Sequence, residues 1–309
     1  MATPTLIGIV GFGKIARDQH VPSLAASEAF RLVATASPHS TLRGVPGYST
    51  IEELLTAHPE VSAVALCTTP QVRYQAARHA LNCGCHVLLE KPPGVSVSEV
   101  HQLADLAAHK GRSLLASWHS RHANGVEPAR AWLATRRIVA VTVSWKEDVR
   151  KWHPGQAWIW KAGGLGVFDP GINALSVLTR IVPGPLLFRE ASLSYPSNCE
   201  TPIAASLRLA DAADSPIRME LDFRHTGTER WDIEVETDDG PLVLSSGGSV
   251  LHIKGQAVDT PRDTEYARLY AHFAALIRDG RSDVDLAPMT LVADAFLGGR
   301  RIEVAPFLD

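Results

Sequence analysis

The sequence predicts an α/β protein with two parts: a Rossmann-type, doubly wound parallel sheet, and a second α+β domain with an open, mostly antiparallel sheet. Short apolar runs alternate with helical patterns through roughly the first 120 of the 309 residues, which is typical of parallel strands joined by crossover helices. A glycine-rich turn follows the first run, and strictly alternating segments begin after about Arg121, as in half-exposed antiparallel strands. We therefore expect domains of residues 1–121 and 122–309.

The composition excludes several classes of protein. With 45% hydrophobic and 20% charged residues, the chain has the balance of a compact globular protein. Its formal net charge of −3 provides no general attraction to nucleic acid or to an anionic membrane, so we expect neither as a partner. The chain shows neither a secretory leader pattern nor a long apolar span, which favours a cytoplasmic location. No metal site is expected, because the four cysteines lack the spacing of metal ligands: Cys67, Cys83, Cys85 and Cys199.

The elements of the first domain follow in order from these patterns. Apolar runs predict five strands, at residues 6–10, 32–36, 63–67, 87–90 and 114–118. Two of the helices between them have readable starts, because Thr50 is followed three residues later by Glu53, and Ser96 by Glu99. In this arrangement the hydroxyl and the carboxylate bind free amides of the first turn, so we expect helices to begin there.

The second domain is predicted from alternating segments. Residues 139–146, 217–224 and 231–236 alternate apolar with polar side chains and predict antiparallel strands. Helical patterns near 171–181 and 263–279 are expected to cover the apolar face of this sheet, and a last helix is expected near 288–297. Because alternation does not say whether helices or another subunit cover that face, the sheet is also a candidate interface for a homo-oligomer.

The turn after the first strand has the dinucleotide-binding form G-x-G-x-x-A. Gly11 permits the tight turn, Gly13 lets the backbone approach a pyrophosphate, and the small Ala16 lets the helix pack on the strand. Lys14 and Ile15 begin that helix, whose positive end would face the phosphates. Glycines at such a turn can also serve packing alone, but the setting in a repeated strand–helix–strand unit favours a cofactor site.

The end of the second strand favours NADP over NAD. An NAD site normally offers an acidic side chain here to the ribose 2′-hydroxyl. This sequence has Ser37, His39 and Ser40 instead. Arg43 follows within reach, so the segment would tolerate a 2′-phosphate and could donate hydrogen bonds to it. We expect NADP as the preferred cofactor and NAD as the alternative, while a polar solvated loop is the other interpretation.

Two further motifs point to chemistry. Glu90-Lys91-Pro92 ends the fourth strand, and ligands of open parallel sheets bind beyond the carboxyl ends of the strands. Lys91 is therefore expected near a nicotinamide ring, on a turn that its proline neighbours keep ordered. The second motif, residues 163–173, opens a helix of the second domain and contains Asp169 and Asn173.

With these motifs the chain is similar, over essentially its whole length, to the Gfo/Idh/MocA family of NAD(P)-dependent sugar and cyclitol oxidoreductases. The family has a Rossmann domain with a Gly-rich turn, a strand-end Thr-Pro motif matched here by Thr69-Pro70, a Glu-Lys-Pro motif and an open antiparallel sheet. Its catalytic region commonly reads G-G-G-x-x-x-D-x-G-x-H. This chain keeps Asp169 but has Asn173 in place of the histidine, and Tyr74 where a histidine often follows the Thr-Pro motif.

The resemblance implies that Thr68, Thr69, Pro70, Glu90 and Lys91 contribute to the cofactor site.

The resemblance also implies a catalytic set of Lys91, Asp169 and Asn173. Because an asparagine amide cannot transfer a proton, Asp169 or Lys91 must accept it, and Asn173 is expected to orient the substrate. An anomeric hydroxyl suits such a modest base, since the ring oxygen stabilises both the alkoxide and the developing carbonyl. This set resembles the family branch that oxidises C1 of L-arabinose and D-galactose to lactones, which implies an NAD(P)-dependent aldose 1-dehydrogenase.

Aromatic and polar side chains near these motifs are candidates for sugar binding. Trp152 and His153 precede the glycines of the second motif, and Trp231 begins a strand expected nearby. Indole faces pack on the C–H patch of a pyranose. Strand alternation puts Glu147 on the apolar face, where a carboxylate needs a partner, although a strand that ends earlier would leave it solvated. His119 follows the fifth strand and is expected to point to the cofactor or the substrate.

Two other functions are compatible with these residues. One is oxidation of another sugar or cyclitol hydroxyl, which would normally call for the histidine that is missing at position 173. The other is non-catalytic sensing of NADP and a sugar by a regulator. Lys91 and Asp169 favour an enzyme, and no segment of the sequence has the pattern of a DNA-binding motif.

Overall fold

The computed structural model describes residues 3–260 and 264–308. Its strands are β1 (Thr5–Val10), β2 (Phe30–Ala36), β3 (Gly47–Tyr48), β4 (Ala63–Leu66), β5 (His86–Glu90), β6 (Leu114–Ser117), β7 (Ile138–Lys146), β8 (Leu187–Pro196), β9 (Ala204–Ala210), β10 (Pro216–Asp222), β11 (Arg230–Thr237), β12 (Gly240–Ser245), β13 (Val250–Ile253), β14 (Gln256–Ala257) and β15 (Arg300–Val304). Its α-helices are α1 (Val21–Ala25), α2 (Ile51–Ala57), α3 (Pro70–Asn82), α4 (Val97–Lys110), α5 (Val126–Leu133), α6 (Val149–Trp152), α7 (Phe168–Ile181), α8 (Glu265–Asp279) and α9 (Ala287–Gly298). A π-helical turn, Ala16–His20, precedes α1, and 3₁₀ turns lie at His119–His122, Ala157–Trp160 and Ser246–Gly248.

The first of two compact units contains residues 3–118 together with Thr264–Asp285. Its parallel sheet has the strand order β3-β2-β1-β4-β5-β6, which is the order of a Rossmann fold. The five predicted strands are all present, each within two residues of its predicted bounds. The predicted doubly wound sheet is confirmed, and its reversal of strand order between β1 and β4 lies where such folds bind dinucleotides.

The two predicted helix starts are also confirmed. The Thr50 hydroxyl accepts a hydrogen bond from the Glu53 amide at 3.2 Å, and the Ser96 hydroxyl accepts one from the Glu99 amide at 3.3 Å. Each glutamate carboxylate reaches back to the amide of the residue before the cap, at Ser49 and at Val95. In each helix, side chains therefore satisfy one first-turn amide and the amide of the residue just before the cap.

Helix α8 lies in a different unit from the one that the sequence pattern suggested. The pattern at 263–279 was expected to cover the second sheet, but α8 belongs to the first unit, and residue 263 lies outside the described part of the chain. The apolar side chains of α8 join the core of the Rossmann sheet, where Phe273 stacks on Phe30 with ring centroids 5.6 Å apart. The pattern identifies an apolar helix face but not the sheet that buries it, so the segment 122–309 is interrupted by one helix of the first unit.

The second unit contains residues 119–260 and 286–308. Its nine-stranded sheet has the order β14-β13-β12-β11-β7-β10-β9-β8-β15, with parallel pairs only at β10–β7 and β15–β8, so the predicted mostly antiparallel sheet is confirmed. Helices α5, α7 and α9 pack on its apolar face, which buries alternate residues such as Val143, Met219 and Ile233. The close packing of α7 depends on Gly171, because a Cβ there would lie 2.5 Å from Leu221 of β10.

Candidate active site

The glycine-rich turn in the first unit has the geometry of a phosphate cradle. Gly11 has a φ of +86°, and a Cβ at this position would lie 2.5 Å from the Thr68 amide nitrogen, so only glycine fits between the ends of β1 and β4. A Cβ on Gly13, in contrast, would have no atom within 4 Å, which leaves the backbone open to a ligand. Ala16 is fully buried where the helix packs on the sheet. The three small residues therefore have the local geometry that the motif requires, and the approach of a pyrophosphate at Gly13 stays a prediction.

Other residues predicted at the cofactor site lie around this cradle. The Thr68 hydroxyl oxygen is buried and lacks a hydrogen-bond partner among the described residues, which fits a site that a polar ligand completes. Thr69 directly precedes α3, the helix that follows β4, and Pro70 is its first residue. Lys14 is exposed and paired with Asp18, and Ile15 directly precedes the π-helical turn. These residues fit a dinucleotide pyrophosphate. Backbone amides at the start of a helix can bind its phosphates, and the Thr68 hydroxyl after β4 is available to hydrogen-bond a ligand.

The segment after β2 lacks a carboxylate from Ser37 to Arg43. The Ser40 hydroxyl donates to the Phe12 carbonyl at 2.6 Å, so this segment contacts the glycine-rich turn directly. His39 and Arg43 are exposed and Ser37 is half-buried. The segment therefore offers hydroxyl and cationic groups where an NAD-specific site would offer an acid.

The Lys91 turn follows β5, and its Lys91–Pro92 peptide bond is cis. Lys91 is half-buried. The buried Arg73 of α3 fixes this turn, because its guanidinium donates to the carbonyls of Glu90 and Pro92 and also to that of Thr68. One buried side chain thus ties the lysine turn to the strand end that carries the Thr-Pro motif.

The Glu90 side chain points into the protein interior. It is 3% exposed, and its carboxylate is bonded by His20, Ser117 and Tyr266, all of the first unit. Glu90 was predicted as a cofactor-binding residue from its motif. In the structure its carboxylate is hydrogen-bonded by groups of the protein, and its part in cofactor binding stays a prediction.

In the second unit, three predicted residues come together. Glu147 follows the end of β7, His153 directly follows α6, and Asp169 lies in the first turn of α7. His153 Nε2 lies 3.2 Å from Glu147 Oε1, and His153 Nδ1 lies 3.7 Å from Asp169 Oδ2. Both carboxylates are more than nine-tenths buried, so Glu147 is not the solvated residue that an earlier strand end would have made it. The imidazole thus lies between two buried carboxylates, within hydrogen-bond distance of Glu147 but not of Asp169.

Two indoles lie beside this cluster. The Trp231 indole N–H donates to Glu147 Oε2 at 2.9 Å, which fixes the carboxylate from the side opposite His153. Trp152 packs edge-on against Trp231 with ring centroids 5.1 Å apart, and its N–H donates to Glu229 at 3.2 Å. Trp152 is 38% exposed, so an apolar face remains open to solvent or to a ligand.

Helix α7 carries the predicted catalytic pair of the second unit. Asp169 and Asn173 are four residues apart and therefore lie on the same helix face. Asp169 is in the first turn, where the helix dipole stabilises a negative charge. The approach to this turn needs glycine, since a Cβ on Gly166 would lie 2.3 Å from the Pro202 carbonyl oxygen. Asn173 is half-buried.

His119 begins the 3₁₀ turn at His119–His122, and its Nδ1 lies 3.4 Å from the Ser120 hydroxyl. Its predicted contact with cofactor or substrate stays a prediction.

Sequence reasoning missed Arg73, His20 and Tyr266. All three are buried polar residues of the first unit, and each contacts a group of the Glu90-Lys91-Pro92 motif. A possible signal existed for Arg73 alone, since it lies in the first turn of the helix that begins at the Thr-Pro motif.

No helix among the described residues is long and apolar enough to span a membrane. Within the same residues, no group of three or more histidine, cysteine or acidic side chains is arranged to hold a metal ion.

Comparison with known proteins identifies relatives along the full chain. The family model of oxidoreductases with an NAD-binding Rossmann fold, GFO_IDH_MocA, matches residues 5–117. Galactose 1-dehydrogenase of Pseudomonas fluorescens is 46% identical over 306 residues, which cover 99% of each chain. The crystal structure of D-galactose-1-dehydrogenase from Rhizobium etli is 53% identical, has a TM-score of 0.96, and is matched over 100% of this chain and 99% of that one.

A more distant structure shows the shared fold. KijD10, a 3-ketoreductase from Actinomadura kijaniata solved with NADP and TDP-benzene, has a TM-score of 0.83 at 18% identity, over 97% of this chain and 99% of that chain.

These matches agree with the strand order of the first unit and with the open sheet of the second, and they confirm both the resemblance read from the motifs and the prediction of an enzyme. The chain is a dehydrogenase that belongs to the Gfo/Idh/MocA family of oxidoreductases.

Proposed function

We propose that the protein oxidises the anomeric C1 hydroxyl of a free aldopyranose, D-galactose or L-arabinose, to the aldonolactone, with NADP as the preferred hydride acceptor. The observation that supports this best is the cluster of Glu147, His153 and Asp169 beside Trp231. His153 Nδ1 is buried there without a hydrogen-bond partner among the described residues, which suits a site that a ligand hydroxyl completes. Two similar proteins, both named as galactose 1-dehydrogenases, support the same substrate class.

The cluster can bind a sugar through two kinds of contact. Each oxygen of Glu147 accepts one hydrogen bond from the protein and retains a lone pair for a sugar hydroxyl. The rings of Trp152 and Trp231 offer apolar faces for the C–H patch of a pyranose. Together these groups can bind and orient a polyhydroxylated ring while Trp231 and His153 hold the carboxylate still.

The proton of the substrate hydroxyl needs an acceptor on the chain. Asn173 cannot serve, because its neutral side-chain amide is too weak a base to accept a proton at accessible pH, so its role in the proposal is to orient the substrate. Asp169 is the candidate in the second unit and Lys91 the candidate in the first. A lysine near the reacting oxygen would also stabilise the negative charge that develops there.

NADP, when bound, supplies the hydride acceptor. The preference for NADP in this proposal is supported by the residues after β2, where Ser37, Ser40 and Arg43 stand in place of a carboxylate that would repel a 2′-phosphate.

The proposal includes both sugars because their pyranose rings have the same configuration. D-galactose differs from L-arabinose by one hydroxymethyl group, and such a group changes the selectivity of an apolar pocket by only about 10- to 200-fold. We expect both to be oxidised.

Initial rates of nicotinamide reduction with a panel of free aldoses, each with NADP and with NAD, test the proposal. We expect turnover of D-galactose and L-arabinose, with NADP favoured. Asp169→Asn and Lys91→Ala should each lower kcat, the one that accepts the proton by about 10²- to 10⁴-fold. Asp105→Asn and Lys110→Ala, at exposed positions of α4, are matched controls and should leave the rate unchanged.

Absence of turnover with every aldose, despite tight NADP binding, would contradict the proposal and favour the sugar-sensing regulator. Turnover only with sugars or cyclitols that lack a free anomeric hydroxyl would instead favour oxidation at another ring position.

A further inference from the structure

The Glu90 carboxylate is the centre of a buried hydrogen-bond network in the first unit. Its Oε1 lies 3.0 Å from His20 Nε2 and accepts hydrogen bonds from the Tyr266 hydroxyl at 2.8 Å and the Ser117 hydroxyl at 3.2 Å. His20 Nδ1 in turn lies 2.7 Å from the Tyr270 hydroxyl. Each of these side chains is more than nine-tenths buried, so the network is shielded from bulk water.

The other oxygen of Glu90 binds the lysine turn. Glu90 Oε2 accepts the backbone N–H of Lys91 at 3.0 Å. Pro92 and Pro93 have no N–H, so the Lys91 amide is the one backbone donor among these three residues. The carboxylate thus holds the turn by its amide, while Arg73 holds it by the carbonyls of Glu90 and Pro92.

The protonation states of Tyr266 and His20 allow both side chains to donate hydrogen bonds to the Glu90 carboxylate. Burial, followed by the Glu90 carboxylate, raises the pKa of Tyr266 well above its usual value, so its phenol stays protonated and donates. Burial also raises the pKa of Tyr270 to about 12. For His20, burial acts to lower the pKa, but Cys67, Tyr270 and Glu90 outweigh it and raise the pKa well above the usual value. A cationic His20 can donate to Glu90 through Nε2.

The partners of Glu90 come from separate segments of the chain. His20 ends the π-helical turn that follows the glycine-rich motif, Ser117 ends β6, and Tyr266 and Tyr270 lie one turn apart on α8. The network therefore connects the π-helical turn after the glycine-rich motif, and the distant helix α8, to the turn that carries Lys91.

We propose that Glu90 is a positioning residue for Lys91: held by His20, Ser117 and Tyr266, its carboxylate fixes the Lys91 backbone so that the lysine side chain is presented in one place. This rests on the proposed function, which gives Lys91 its part in the reaction. The role differs from that of a cofactor ligand, because the Glu90 carboxylate acts on the lysine through its backbone amide. Loss of positioning should therefore lower turnover while leaving cofactor affinity close to that of the wild type.

Glu90→Gln is the direct test. Glutamine has the same shape but one acceptor oxygen, so it cannot accept from Lys91 and from the three side chains at once. We expect faster hydrogen exchange at the Lys91 amide in the protein without ligands, by about tenfold or more, followed in ¹⁵N-lysine-labelled protein by NMR. We expect kcat with D-galactose to fall by roughly 10²-fold and the NADP dissociation constant to change little.

A pair of tyrosine variants provides the matched control and covers the case in which Glu90→Gln does not fold. Tyr266→Phe and Tyr270→Phe each remove one buried hydroxyl from α8, but only the Tyr266 hydroxyl touches Glu90. If Glu90 positions Lys91, Tyr266→Phe should lose more kcat than Tyr270→Phe and should show faster hydrogen exchange at the Lys91 amide. The fall in Tm should be similar for the two variants. Equal kcat for both variants, with Lys91 exchange unchanged, would overturn the proposal.

The remaining outcomes separate this proposal from the proposed function. Weaker NADP binding with unchanged kcat in Glu90→Gln would make Glu90 a cofactor residue and overturn the positioning role. Wild-type turnover in Lys91→Ala would instead remove the lysine from the reaction, and exchange at the Lys91 amide would still report whether Glu90 holds the turn.

Discussion

Arg73 is a cation buried among backbone carbonyls. Its guanidinium donates to Thr68, Glu90 and Pro92, and its side chain is 2% exposed. Removing it would leave buried carbonyl oxygens without these donors, and each buried group left unsatisfied costs about 1–3 kcal/mol. The planar fork of an arginine can serve several acceptors at once, which the single ammonium of a lysine cannot reproduce.

We therefore predict that Arg73→Met lowers the free energy of unfolding by about 3 kcal/mol or more. Arg73→Lys should recover only part of this loss, because one nitrogen replaces two. Denaturant unfolding measures both values. Arg78→Met, at an exposed position of the same helix, is the control and should stay within about 0.5 kcal/mol of the wild type. Equal stability of Arg73→Met and Arg78→Met would show that the hydrogen bonds of Arg73 to the three carbonyls do not stabilise the fold.

At the residue scale, the sequence predicted the members of the second-unit cluster. It did not predict Arg73 and His20, the buried residues that hydrogen-bond the Glu90-Lys91-Pro92 motif in the first unit. Glu147 was recognised because a carboxylate on an apolar strand face needs a partner, and Trp231 and His153 are its partners. Arg73 and His20 lie on helices whose polar residues are normally solvated, and nothing in the local pattern marks them as buried. Their partners are distant in sequence, which periodicity cannot detect.

Helix α8 shows what an amphipathic pattern can and cannot predict at the scale of elements. The apolar stripe predicted a helix over 263–279, and α8 occupies Glu265–Asp279. The same stripe could pack on either sheet, and the choice is made by its aromatic side chains, which join Phe30 and the rest of the Rossmann core. The strands were predicted closely because their apolar runs are short and buried on both faces.

Phe273→Ala tests which sheet α8 stabilises. Phe273 is fully buried and stacks on Phe30 of β2, so the substitution should cost about 3–5 kcal/mol of stability in the first unit. Hydrogen exchange with mass spectrometry should show lost protection in β1 and β2, with β10 of the second unit retaining its own. Loss of exchange protection that is confined to the second sheet would contradict the assignment of α8 to the first unit.

Across the whole molecule, the buried pair of His20 and Glu90 predicts how stability depends on pH. Folding raises the pKa of His20 above its usual 6.5. The contribution of protonated His20 to the free energy of unfolding is therefore complete below pH 6.5 and is lost as the pH rises through the raised pKa. We expect His20→Gln to cost about 3 kcal/mol near pH 6, since it leaves a buried carboxylate without its cation.

Thermal unfolding of the wild type and His20→Gln from pH 6 to pH 10 measures this effect. The gap in Tm should narrow as the pH rises, because the wild type loses the contribution that the variant already lacks. A gap that is constant or grows with pH would show that His20 is not cationic in the folded protein.

A homo-oligomer formed through the second sheet stays a prediction. Helices α5, α7 and α9 cover the apolar face of this sheet, so no other subunit is needed there, and the opposite face carries exposed side chains such as Thr142, Arg218 and Glu220. Sedimentation velocity would show whether the protein is larger than its 33.4 kDa chain, and substitutions on this face should shift that size if the sheet is the interface.

Oxidation at C1 is tested most directly by following the hydrogen on that carbon. D-galactose deuterated at C1 should pass its deuterium to the nicotinamide, so that NMR finds the label in the reduced cofactor and a lactone as the first product. A reduced cofactor that carries no deuterium, formed at the normal rate, would place the oxidation at another carbon and contradict the proposed function.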